Sequence, residues 1–233
     1  MLVYGKNVVK ETLEKNINIK KAYIYDGFND EKILSMLKKR NISIKFLTKN
    51  ELNKIDNGNN QGIIIDIPDF VYSDLDDLLV SEKPFIVILD HIEDPHNFGA
   101  IIRTCESAGV DGIIIPKDRS VSINSTVMKT SAGALNNVKI CKVTNLSRTI
   151  DELKNRGLWI FGTNVSNSIS YNSVDYDIPL ALVIGSEGFG ISKLINDKCD
   201  YIVNIPMKGK VNSLNASVAA GILIYKIIEK RNW

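Results

Sequence analysis

Three short stretches hold the side chains best suited to chemistry: LDHIEDPHNFGAIIRT (89–104), VIGSEGFGIS (183–192) and IPMKGKVNSLNASVAAG (205–221). In the first, Arg103 is a lone cation among small and apolar neighbours, so it is either a group kept for an anion or half of a salt bridge, with Glu187 as the natural partner. The second carries Gly185-x-x-Gly188-x-Gly190. That spacing reverses the dinucleotide fingerprint, and no Gly-Lys-Ser/Thr follows to make a phosphate-gripping loop. The glycines then serve a tight strand-to-helix turn or let backbone approach a ligand, Gly185 having no Cβ to obstruct one. In the third, Asn212 or Ser213 would make an ordinary helix cap, yet two Asn and two Ser precede an otherwise apolar helix. One cap needs only one of them.

Other reactive types argue against alternatives. His91 and His96 are the only histidines, and no third ligand accompanies them, so no metal is expected. Cys105, Cys141 and Cys199 are odd in number and widely spaced, and each lies in an apolar-periodic segment. They read as buried, inert thiols and not as a disulfide framework or zinc site.

The elements that must position these residues are short and alternating. From residue 85, FIVILD, GIIIP, KICKV, LWIFGT, LALVIGSE and YIVNIP are β-branched runs separated by helical stretches. Strands this apolar on both faces suit a parallel sheet covered by helices on each side, and ligands collect at the carboxyl ends of such strands. A long helix is expected over about 212–232. Upstream, KAYIYD, SIKFLT and GIIIDI read as strands, with DEKILSMLKKR and KNELNKID as helices and NGNN (57–60) as a turn. The layout predicts an α/β chain with a small domain over 1–70, an acidic linker over 71–83 and a larger parallel-sheet domain over 84–233.

At 233 residues, 44% hydrophobic and 24% charged, the composition is that of a globular protein with a real core. No apolar run approaches the roughly 20 residues that span a bilayer, and the opening MLVYGKNVVKETLEKN has no signal-peptide core. Cytoplasmic residence, with no membrane partner, is the expectation. Residues 1–66 hold twelve Lys/Arg against eight Asp/Glu, whereas 69–82 hold five acids and no base. A mildly basic first segment fits a surface that faces nucleic acid, and ordinary solvated charge fits it nearly as well.

Taken together, the three stretches resemble the motifs of the SpoU/TrmH ribose 2′-O-methyltransferases, a branch of the trefoil-knotted SPOUT class. The matching residues are Asn97-Phe98-Gly99-Ala100-Ile101-Ile102-Arg103-Thr104, Gly185-Ser186-Glu187-Gly188-Phe189-Gly190, and Ile205-Pro206-Met207 with Asn212-Ser213-Leu214-Asn215-Ala216-Ser217. Order, spacing and strand context agree from about residue 85 onward. Tyr4-Gly5, the helical VVKETLEKN and Asn60-Gln61-Gly62-Ile63 resemble the small L30e-like RNA-binding domain of the RlmB type, with Asn60 where that type commonly has His.

The resemblance implies a C-terminal trefoil knot and S-adenosylmethionine (SAM) as cofactor, without a metal. It implies Thr163, Gly185, Ile205, Met207, Ser213 and Leu214 around the cofactor. It implies Asn97, Arg103, Glu187, Ser213 and Asn215 as the catalytic set, with Arg103 at the ribose. Because a guanidinium stays charged in proteins, holding a phosphate and stabilising a developing alkoxide suits Arg103 better than acting as the base. The implied partner is RNA, 23S rRNA or a ribosomal precursor with guanosine as the target, and the implied assembly is a homodimer through the knotted domain. A tRNA or another rRNA nucleotide, as in resistance-type relatives, is an alternative substrate. A non-catalytic RNA-binding or ribosome-assembly protein of the same fold is the alternative from another class, against which the intact polar residues count.

Overall fold

The structure, a computed structural model, describes residues 1–56, 58–165, 168–210 and 213–231. The chain divides into two compact units, and the smaller comprises Met1–Val71 together with Ile123–Lys129. In chain order it begins β1 (Leu2–Tyr4), α1 (Lys6–Glu14), β2 (Lys21–Tyr25), α2 (Glu31–Lys39), β3 (Ile44–Leu47), α3 (Lys49–Ile55) and β4 (Ile63–Asp66). Helices α2 and α3 start at side-chain caps. The Asp30 carboxylate accepts the N–H of Ile33, and Thr48 with Glu51 closes a capping box on α3. Hydrogen bonds from Thr48 hold the Glu51 carboxyl below its ordinary range.

The four strands lie in the order β1-β4-β2-β3, with β2 and β3 parallel and β4 antiparallel to both its neighbours. Strand alternation sorts the core. Ile63 and Ile65 pack with Val9, Leu13 and Leu37, while Ile64 joins Leu47 and Leu52 in a second cluster.

The larger unit comprises Tyr72–Ser122 and the chain from Thr130 onward. Its elements are β5 (Phe85–Asp90), α4 (Pro95–Ser107), β6 (Gly112–Pro116), then, after α5 (Ser125–Thr130), β7 (Ile140–Val143), α6 (Leu146–Asn155), β8 (Trp159–Thr163), β9 (Ile169–Ser170), β10 (Leu180–Gly185), α7 (Lys193–Asn196), β11 (Tyr201–Asn204) and α8 (Ala216–Lys230). Seven strands form one sheet in the order β7-β6-β5-β10-β8-β11-β9, and every pair is parallel. Every residue of β5, β6 and β10 is buried, as the unbroken apolar runs require.

Two local readings are revised. The final helix begins at Ala216 and not near 212, because Asn215 is its cap, the side-chain oxygen accepting the N–H groups of Ser217 and Val218. Ser213 therefore precedes the helix, and Asn212 lies outside the described residues. The acidic stretch is docked chain from Ser73 on. The Ser73 N–H bonds the Ile140 carbonyl at 2.8 Å, and Leu78 is fully buried in the core of the larger unit. There it fills the space beside Gly112, where an added Cβ would lie 2.2 Å from Leu78 Cγ.

All three cysteines are free thiols, Cys105 and Cys141 buried and Cys199 half-buried. Burial pushes Cys141 up to about 11, Cys199 up to about 12 and Cys105 higher still, so none offers a thiolate near neutrality.

Candidate active site

Strand order decides where the three chemical stretches meet. The chain builds β5, β6 and β7 outward on one side, then returns to lay β10 beside β5, with β8 and β11 beyond it. At that reversal Asp90 and Gly185, the last residues of β5 and β10, are paired. Thr163 ends the next strand and Asn204 the one after. Crevices at such a switch point are where open parallel sheets take ligands. Asp90 fastens the floor. Its carboxylate, 1% exposed, accepts the Ser192 N–H at 2.7 Å and pairs with His91 Nδ1 at 2.5 Å.

Above this floor a single polar node ties the three stretches together. Asn97 Nδ2, on α4, donates to Glu187 Oε1 at 2.8 Å, and Asn215 Nδ2 donates to Asn97 Oδ1 at 2.9 Å. Asn215 Nδ2 also bonds Glu187 Oε1, toward which the Ala216 N–H points at 3.5 Å. Glu187 Oε2 has no hydrogen-bond partner among the described residues. Asn97 is 6% exposed, and burying its amide is offset because both ends are bonded. A carboxylate held this way keeps one oxygen free to accept from a hydroxyl.

Beside the node lies a cavity of about 380 Å³, within the range of small-molecule sites. Thr163, Gly185, Ile205, Met207, Ser213 and Leu214 all line it, and Glu187 stands at its edge with Ile184 and Leu223. Its wall is mainly apolar, with strand-end backbone for polar contact. Thr163 is held in place by donating its hydroxyl to the Val183 carbonyl at 3.1 Å.

Gly185 serves a different purpose from open access for a ligand. A Cβ there would lie 2.0 Å from the Gly190 carbonyl carbon and 2.3 Å from the Ile191 nitrogen. The missing side chain makes room for the returning turn, in which Ser186 and Gly190 exchange two backbone hydrogen bonds. Gly188 and Gly190, at φ +83° and +67°, give that turn its left-handed corners.

Residues 84–225 match the family model described as the SpoU rRNA methylase family. The chain belongs to this family. As a SpoU methylase it is an RNA methyltransferase, and residues 2–72 match a second model, RNA 2′-O ribose methyltransferase substrate binding. The putative TrmH family tRNA/rRNA methyltransferase YacO of Bacillus subtilis is 42% identical over 238 residues, 99% of this chain and 96% of that protein. The SpoU methyltransferase AviRb from Streptomyces viridochromogenes, crystallised with AdoMet, shares the fold at a TM-score of 0.79 and 23% identity, covering 99% of this chain and 90% of its own. A TrmH/SpoU tRNA modifying enzyme from A. aeolicus aligns with 66% of this chain and 78% of its own at 35% identity and a TM-score of 0.59.

In this SpoU methylase the expected residues do not all converge. Asn97, Glu187 and Asn215 form the node, and Ser213 lines the adjoining cavity. Arg103 stands apart. It is exposed on α4, lines neither the cavity nor the node, and has no ion pair or hydrogen bond among the described residues. The alternative salt bridge to Glu187 is not formed. Asp90 and Ser192 lie outside the site set that the sequence implies. The clue was an acid closing an otherwise apolar strand, but its partner lies 102 residues away.

The small unit has its own cavity of about 470 Å³, lined by Lys6, Tyr25, Phe28, Lys49 and Asn60 among others. Asn60 is spent on the turn, its amide donating to Asn53 Oδ1 and the Asp56 carbonyl while its oxygen accepts the Gly62 N–H. Gln61 Oε1 accepts the Lys6 N–H at 2.8 Å. Among the described residues no three His, Cys, Asp or Glu are grouped to hold a metal ion, and no helix is long and apolar enough to cross a membrane.

Proposed function

We propose that this chain transfers a methyl group from SAM to a ribose 2′-hydroxyl of RNA, with a guanosine of 23S rRNA as the target. The observation that carries the reading is the node, in which three distant stretches converge on one carboxylate beside a cavity of small-molecule size. When bound, SAM supplies an electrophilic methyl on a sulfonium centre. The cavity fits it in chemistry: Ile205, Met207 and Leu214 offer an apolar bed for a flat adenine, and strand-end backbone offers partners for its edge. Glu187 brings the negative charge that a sulfonium tolerates nearby.

The chain's own residues then orient the acceptor. Glu187 Oε2 is free to accept the 2′-hydroxyl proton in a hydrogen bond, while Asn97 and Asn215 stop the carboxylate from turning. The unpaired guanidinium of Arg103 is available to a phosphate. The match of residues 2–72 to a substrate-binding model supports RNA as the partner of the small unit. A homodimer through the larger unit belongs to the same reading, supported by Val218, Ile222 and Tyr225, exposed along one face of α8.

The test is a map of 2′-O-methylation across total RNA from cells with and without the protein. One 23S rRNA guanosine is expected to lose its methyl group. A loss in tRNA instead, which the naming of the relatives as tRNA/rRNA methyltransferases keeps in view, moves the substrate. An unchanged map overturns the reading.

A further inference from the structure

A second cavity, of about 520 Å³, shares the turn Ser186–Gly190 with the first. Ser186, Glu187, Phe189 and Gly190 line both. The Asp90–His91 pair at the end of β5 lines the second cavity, as do Asn97 and Arg119.

Two of its residues have no structural employment. Phe189 is 95% exposed, and its ring stacks on no other aromatic ring among the described residues. A phenyl ring gains nothing from standing in water, and two left-handed glycines fix the turn that presents it. Arg119 is exposed on the loop after β6, with no ion pair or hydrogen bond among the described residues. Four acids line the same cavity: Asp90 is committed to Ser192 and His91, Asp94 to the His96 N–H at the start of α4, and Glu187 Oε1 to the two asparagines, while Glu93 is exposed. One cavity thus offers a flat apolar face and a free guanidinium, and it adjoins the node that carries the free carboxylate oxygen.

A flat π-face joined to an anion is the chemistry of one nucleotide. We propose that the second cavity holds the unstacked target nucleotide, its base stacked on Phe189 and its phosphate paired with Arg119. The ribose between them then lies over Glu187, where the two cavities meet. This inference rests on the methyl-transfer reading above and adds to it the subsite for the acceptor.

The test measures methyl transfer by the full chain to total RNA from cells lacking the protein, beside SAM affinity by calorimetry. Phe189→Ala is expected to lower kcat/KM for RNA by roughly tenfold or more, the range for losing one base-stacking ring, with melting temperature unchanged and a smaller loss of SAM affinity, since Phe189 also lines the first cavity. Phe189→Trp should restore most of the loss, which a merely structural role would not predict. Arg119→Ala should reduce the slope of RNA affinity against salt by about one contact. Full activity in Phe189→Ala overturns the proposal. So does a loss of SAM affinity as large as the loss in kcat/KM, which makes the ring a cover for the first cavity, or a changed mass by light scattering, which assigns it to a protein contact. If the unaltered protein methylates no RNA, it is the methyl-transfer reading that fails.

Discussion

The small unit mixes parallel and antiparallel pairs in four strands, whereas every pair in the seven-stranded sheet is parallel. Their cavities differ accordingly. In the small unit the lining comes from loops, the end of β2 and helices α1 and α3, with Lys6 and Lys49, two aromatic rings, several amides and, among the described residues, no carboxylate. In the larger unit the cofactor-sized cavity lies at strand ends, has a mainly apolar wall, and carries Glu187 with no cation among the described residues. The first arrangement suits a polyanion with exposed bases; the second suits a small molecule with an apolar body and positive charge. A parallel sheet delivers all its strand ends to one edge, which is why residues from three distant stretches can share one node there. The mixed sheet has no such edge.

The sharpest way to break this comparison is to remove the charge on which the node converges. Glu187→Ala is expected to cut the single-turnover rate at saturating SAM and RNA by roughly a hundredfold or more, the scale of a lost acid–base or electrostatic group. Glu187→Gln should recover part of the hydrogen bonding to Asn97 and Asn215 but little of the rate. A Glu187→Ala protein with more than a tenth of normal turnover would show that the node is architectural.

Gly185→Ala has the next largest effect, and it falls on stability. The new Cβ meets the backbone of Gly190 and Ile191, which cannot swing aside as a side chain can. The cost should be about 1–3 kcal/mol, seen as a lower melting temperature, with SAM binding weakened as the turn shifts. Gly185→Leu should therefore not leave the fold intact. An unchanged melting temperature in Gly185→Ala would mean that the turn relaxes freely.

The smallest effect is expected in the other unit. Lys49→Ala should weaken RNA affinity a few-fold and lower its salt slope by about one phosphate contact, leaving SAM affinity untouched. Filter binding across a salt series reads this directly. If the slope does not move, Lys49 is ordinary solvated charge and the contrast between the cavities loses a support.

Much of the architecture was legible in local sequence. FIVILD, GIIIP and LALVIG are β-branched runs too apolar for anything but a covered strand, and they fold as β5, β6 and β10. The rule that ligands gather at strand ends points to the segments closing β5 and β10, whereas Thr163, Gly185 and Ile205 as cofactor residues come from the family resemblance; all three line the cavity. Strands of two or three residues, β9 and β1, left no readable alternation. The acidic stretch looked like a linker because its composition is that of solvated chain. Only the burial of one residue, Leu78, shows that it is docked.

Other features depended on partners that no local pattern names. Asn215 is expected in the site, but its partner there is not local: its amide nitrogen reaches Asn97, 118 residues away, while its oxygen caps α8 through the N–H groups of Ser217 and Val218. The sequence placed Gly185 in a turn, but whether its missing Cβ faced a ligand or the chain was decided by the left-handed corners at Gly188 and Gly190, which fold backbone into that space. For Arg103 the sequence leaves two readings open, a group kept for an anion or a salt bridge to an acid such as Glu187. In the structure, two amides already occupy one oxygen of that carboxylate, and the guanidinium stands in solvent. Residue types and short-range periodicity set the strands, the turns and the set of chemical groups. Which groups meet is set by strand order and register, because these bring together residues separated by a hundred positions or more.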